Sequence, residues 1–170
     1  LIDNLLRSFG AALIVITIFM VALLRDVKLG LIAMVPNLVP ILMIMGLMGW
    51  VGIPIDMGNL MLASIAIGIA VDDTIHFLHH YKQARAQGDS VDGAIEVATQ
   101  HAGRAMVATS LVLSLGFSVF LTGSMVHLQR FGGLIALTAL LALLVDLWFA
   151  PPLLRAIYGG SEKPGKSSKS

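Results

Sequence analysis

Two adjacent carboxylates and a histidine, Asp72, Asp73 and His76, close an otherwise apolar run, Gly68-Ile69-Ala70-Val71-Asp72-Asp73-Thr74-Ile75-His76. An ionisable group at bilayer depth costs roughly 2.5–3.5 kcal/mol on insertion scales, and such groups are functional candidates by default. A carboxyl group in low dielectric favours its neutral form, and a second carboxylate beside it strengthens that preference. It can then take up and release a proton near neutral pH and draw on a proton gradient, each charge moved across 100 mV being worth about 2.3 kcal/mol. The competing reading is that the helix ends here and the carboxylates lie among lipid headgroups.

The surrounding chain favours the membrane. Of its 170 residues, 57% are hydrophobic and 12% charged, whereas soluble domains carry about 25% charged residues. Low charge with long apolar runs defines the membrane class. A net charge of +1 gives no case for nucleic acid as a partner, and the absence of cysteine excludes disulfides and thiolate metal sites. The first apolar run lacks the basic leader of a signal peptide and is followed by further spans. The sequence opens without Met in helix-like residues, as expected of a piece of something longer.

A span needs about 20 apolar residues. Five are expected, at 8–24, 29–51, 57–79, 105–126 and 131–154, forming an all-α membrane bundle over residues 1–158. Arg25 to Lys28, Gly52 to Asp56 and His127 to Arg130 form the short turns, and Trp50 and Trp148 suit the interfaces. Between the third and fourth spans, Val91, Ala94, Ile95, Ala98 and Ala102 recur at helical spacing, with Asp89 or Ser90 as cap. This predicts a cytoplasmic amphipathic connecting helix, lying along the membrane face or simply solvated. Residues 159–170, rich in Gly, Ser and Lys, read as a disordered cytoplasmic tail. Five spans sort nine Lys and Arg (Arg25, Lys28, Lys82, Arg85, Arg104, Arg155, Lys163, Lys166, Lys169) to one side and only Arg7 and Arg130 to the other. The positive-inside rule then puts the N-terminus outside and the C-terminus in the cytoplasm.

That orientation gives depths. Asp72 lies fifteen residues past Met57, and Asp146 fifteen past Phe131, each roughly 22 Å from the outer end at 1.5 Å per residue. Thr109 and Ser110, early in an outward-running span, lie about 8 Å from the inner edge, the same level in a core of about 30 Å. Three helices thus carry polar side chains at one height, which favours a buried polar cluster over fraying. Asp72 and Asp73 diverge by about 100° around their helix. One can address the fourth or fifth helix and the other a partner outside this chain. His76, one turn below Asp72, either passes protons toward the cytoplasm or lines the inner vestibule. Gly68 permits close helix approach, and Pro36 and Pro40 free backbone groups and should bend the second span.

His76-Phe77-Leu78-His79-His80 has the H-x-x-H-H spacing of membrane di-iron enzymes. Those enzymes carry several such boxes, whereas His101 and His127 here read as isolated and on opposite sides of the membrane. The sequence therefore predicts no metal and no enzyme.

Three segments in order, Val35-Pro36-Asn37-Leu38-Val39-Pro40, Gly68-Ile69-Ala70-Val71-Asp72-Asp73 and Ala108-Thr109-Ser110 through Gly116-Phe117, resemble the resistance–nodulation–division transporter superfamily in its MMPL-like, hopanoid-exporter-like and Patched-like branch. They resemble its second-helix Pro-Asn signature, its G-x-x-x-D-D motif and the start of the next helix. The resemblance implies twelve spans in two halves with large extracytoplasmic porter domains, this chain being the last five helices. It implies export of lipids or other hydrophobic molecules across the inner membrane, driven by protons without any other cofactor. Asp72 and Asp73 would be the relay positions and Thr109 or Ser110 their hydroxyl partners. Asp146 lies outside the motif and joins on depth alone. The implied partners are membrane lipids, the hydrophobic substrate, and the N-terminal half and porter domains of the same transporter. A lipid-binding module of the sterol-sensing kind, which does not pump, is the alternative.

Overall fold

The computed structural model describes residues 2–53 and 57–159. They form five α-helices: α1 (Ile2–Leu24), α2 (Val27–Val51), α3 (Met57–Ala86), α4 (Val91–Ser118) and α5 (Val126–Tyr158), with a 3-10 turn, Val119–Thr122, before α5. Among the described residues there is no strand.

Local chemistry sets the boundaries. Arg25 adopts φ 47, and Asp26 caps α2 by accepting a bond from the Leu29 amide at 3.1 Å. Lys82 on α3 donates to the Leu24 carbonyl, satisfying the end of α1. Gly52, at φ 74, closes α2 with its amide on the Met48 carbonyl. Gly88, at φ 97, turns the chain after α3, and Ser90 caps α4 by accepting from the Gly93 amide at 3.1 Å. Of the two caps the sequence offered, Ser90 is the one used.

Among the described residues, three helices are long and apolar enough to cross a membrane: Val27–Val51, Val91–Thr122 and Val126–Tyr158. The apolar part of α1, Gly10–Leu24, is shorter, and α3 carries its charged residues from Asp72 onward. Exposed apolar side chains cover the outside of α1 (Ile14, Val15, Ile18, Phe19, Leu23) and α4 (Val112, Leu115), with Trp50 exposed at the end of α2 and Trp148 exposed within α5.

Two expectations are corrected. The connecting helix and the fourth span are one helix, α4. Its buried positions Val91, Ala94, Ile95, Ala98, Ala102, Met106, Ser110 and Ser114 continue one face without a break. The apolar part of that face packs with Phe77, Leu78 and Tyr81 of α3 and with Ala150 and Leu154 of α5. It is held by protein rather than laid on a membrane surface. The turn expected at His127 to Arg130 lies inside α5. The reversal comes earlier, through the 3-10 turn and Gly123, and α4 and α5 close tightly there. A Cβ on Gly132 would meet the Phe117 carbonyl oxygen and the Phe120 Cβ at 2.5 Å. Smaller differences are that α3 runs on to Ala86 and that α2 passes unbroken through Pro36 and Pro40. The end of the expected turn at Pro54 to Asp56, and the tail beyond Gly159, lie outside the described residues.

Helix α4 packs chiefly on α5 and α3, α3 also on α5, and α1 sits at the edge against α2. One apolar cluster joins Met20, Leu29, Met34, Phe77, Tyr81, Ala98 and Met106. A second joins Ile44, Met48, Leu62, Leu134 and Ile135. On α2 and α3 the polar positions Asn37, Asp73 and Thr74 fall between the two.

Candidate functional site

Five buried polar side chains from four helices meet between these clusters. Asn37 comes from α2, Asp73 and Thr74 from α3, Ser110 from α4 and Asp146 from α5. The consecutive α3 pair Asp73 and Thr74 turns toward the bundle, where helical geometry fans the two side chains toward different neighbours. Ser110 Oγ donates to Asp73 Oδ2 at 3.5 Å, at the long end of hydrogen bonding. Thr74 Oγ1 lies 2.7 Å from Asn37 Oδ1 and 3.1 Å from Asp146 Oδ1, binding α2, α3 and α5 together. Asp73 is also close enough for its charge to act on Asp146.

Asp72 turns the other way. Its side chain is 71% exposed and pairs only loosely with His76 one turn on, at 3.8 Å. Ser64, Gly68, Asp72 and His76, each four residues apart, form an exposed line along α3. Among the described residues, nothing lies within 4 Å of where a Gly68 Cβ would stand. The close approach that this glycine permits is therefore not made within this block. Thr109 is exposed and donates back to the Ala105 and Met106 carbonyls of its own helix, both at 3.1 Å. Of the expected pair of hydroxyls, Ser110 alone reaches the carboxyl group.

Thr74 and Asn37 were the residues whose place sequence reasoning missed. Thr74 adjoins Asp73 in the motif, and Asn37 is a lone amide in an apolar span. Both signals were visible, but Asn37 read as part of a proline kink and Thr74 was passed over.

Near the C-terminal end of α3, His80 stacks on His101 of α4 with ring centroids 5.7 Å apart, and His79 meets His80 edge-on at 6.0 Å. His101 is thus not isolated. Burial, then the neighbouring His101, His79 and His76, lower the pKa of His80 below its ordinary 6.5. On the same side Arg155 of α5 bonds Asp92 of α4 at 2.7 Å, and Lys28 lies 5.2 Å from the centre of the Tyr158 ring.

Apolar helices of spanning length, lipid-compatible outer faces and a polar cluster closed inside the bundle define a multi-pass membrane protein. The MMPL family model matches residues 4–170, and the chain belongs to that family. A Methanocaldococcus jannaschii relative described as a "putative membrane protein" is 29% identical over 159 residues, which cover 91% of this chain and 41% of the relative. The chain therefore spans about two fifths of that relative's length. No solved structure matches it. Family membership makes the chain a transporter-related membrane module.

Proposed function

We propose that this block is the C-terminal membrane part of a proton-driven exporter of lipids or other hydrophobic molecules, with Asp73 as its central proton carrier. The observation that carries this reading is Asp73 itself, a carboxyl group 5% exposed, on α3 inside the bundle, with the Ser110 hydroxyl of the next helix directed at it. A group so enclosed cannot be hydrated when charged, so its charge state and the packing of α3 against α4 depend on one another. Asp146 supplies a second carboxyl group at this depth.

Asp72 and His76 act on the outer face of α3. An exposed line of Ser64, Gly68, Asp72 and His76 is costly against lipid and suits a closely packed helix. Its occupant is the N-terminal half of the transporter, in keeping with a relative of which this chain covers 41%. The distribution of Lys and Arg supports five spans with the N-terminus outside and the C-terminus in the cytoplasm, in the inner membrane that the resemblance implies.

The test is transport by the full-length protein reconstituted in vesicles under an imposed proton gradient, with a fluorescent lipid as cargo. Export that follows the gradient and stops with a protonophore supports the pump. Lipid binding with no gradient-dependent movement replaces it with the sterol-sensing kind of module.

A further inference from the structure

Thr74 Oγ1 carries one proton, yet it lies within hydrogen-bond distance of two side-chain oxygens, Asn37 Oδ1 at 2.7 Å and Asp146 Oδ1 at 3.1 Å. All three residues are at most 2% exposed. Among the described residues, Asp146 Oδ2 and Asn37 Nδ2 are buried without a hydrogen-bond partner. One proton cannot fully serve two contacts, and buried polar groups are normally satisfied.

Two arrangements give each contact its own proton. With Asp146 neutral, its hydroxyl donates to Thr74 Oγ1, and Thr74 donates to Asn37 Oδ1. With Asp146 ionised, Thr74 donates to Asp146 Oδ1, and the Asn37 amide, turned by 180°, donates through Nδ2 to Thr74 Oγ1. A hydroxyl both donates and accepts, and the two ends of an amide are nearly equal in shape. The same three side chains therefore fit either charge state without a helix moving.

We propose that Asn37, Thr74 and Asp146 form a second proton site, distinct from Asp73 and Ser110, in which reversal of the hydrogen-bond chain accompanies loss or gain of one proton at Asp146 and turns the Asn37 amide on α2. The proposal rests on the proton-coupled reading above. The titratable group acting on Asp146 is Asp73 of α3. From α2 the facing group is Asn37, and from α4 it is Ser110 beside Asp73. The nearest cations in sequence stand farther off. Lys28 on α2 is nine residues from Asn37, Arg155 on α5 nine from Asp146, and Arg104 on α4 six from Ser110, or about 9–13 Å along each helix.

Infrared difference spectra of the full-length protein in membranes, recorded between two pH values, read both halves of the reversal. The expected result is a protonated-carboxyl band that changes together with a side-chain amide band. Asp146→Asn removes the carboxyl change that accompanies the amide band and leaves that of Asp73, and Asn37→Leu abolishes the amide change. Thr74→Ser keeps the two changes linked. Thr74→Val separates them and alters the protonation equilibrium of Asp146 about tenfold, the weight of one hydrogen bond to a charged group. Thr74→Ser and wild type serve as folded references, with Thr74→Val accepted only at a comparable melting temperature. A carboxyl band unaltered in Asp146→Asn, or an amide band indifferent to the carboxyl change in wild type, overturns the proposal. The spectra need neither cargo nor gradient. Failure of gradient-driven export with the paired bands intact would thus reject the transport reading alone.

Discussion

Asp72 and Asp73 are consecutive and serve different surfaces: the Asp73 residue is 5% exposed inside the bundle, whereas the Asp72 side chain is 71% exposed on the outside of α3. One acidic pair thereby serves two surfaces, an internal one shared with Ser110 and an external one continuous with Gly68 and His76.

Ser110 and Thr109 should separate cleanly. Ser110→Ala leaves Asp73 without the hydroxyl directed at it, a loss of about 1–3 kcal/mol at a buried group. It should shift the pH profile of export and slow it about tenfold or more. Thr109→Val removes only a bond to its own helix and should leave export within about twofold of wild type. Export assays across a pH series check both, and equal defects would reject the assignment of Ser110.

Gly132 and Gly68 make a second contrasting pair. An alanine at Gly132 would drive a Cβ to 2.5 Å from the Phe117 carbonyl and should cost about 1–3 kcal/mol through overpacking, seen as a lower melting temperature. For Gly68→Leu, the added Cβ meets nothing within 4 Å among the described residues. The substitution should leave the block's own helix content and melting unchanged while impairing export by the whole transporter, because it obstructs the face assigned to the N-terminal half.

His80 gives a pH prediction outside the spans. Burial and then His101 hold its folded pKa below the unfolded value of 6.5. Between the two values the unfolded chain binds more protons, so stability rises with pH. The stabilisation is complete above 6.5 and is lost as pH falls from there toward the folded value. Melting temperatures at pH 7.5 and 5.5 should differ less in His80→Gln than in wild type.

The Arg155–Asp92 pair is short, at 2.7 Å, but both side chains are well exposed. Such pairs contribute about 0–1 kcal/mol. Arg155→Gln should move the melting temperature by no more than a few degrees, and less at high salt, where the charges are screened.

How far the sequence could be read follows from which signals are local. Apolar run length and cap residues are local, so the helices and the start of α4 at Ser90 were legible. Depth arithmetic put Asp72, Thr109, Ser110 and Asp146 at one level because axial rise is uniform along helices. Azimuth is not read that way. Ser110 and Thr109 share a depth, as do Asp72 and Asp73, and which of each pair turns inward depends on how α3, α4 and α5 rotate against each other. The continuity of α4 was missed because a polar outer face was weighed as a break, although Met106 and Ser110 prolong the face of Ala98 and Ala102. Asn37 was hidden by its prolines, which drew the reading toward backbone geometry and away from its amide.

The central claim is that Asp73 carries the coupling proton. It is tested most directly by measuring proton flux and cargo export together in vesicles containing full-length wild type or Asp73→Asn, matched for amount and melting temperature. The account predicts that Asp73→Asn reduces both fluxes to the level of empty vesicles while the protein remains folded. Gradient-driven export by Asp73→Asn at the wild-type rate would contradict it.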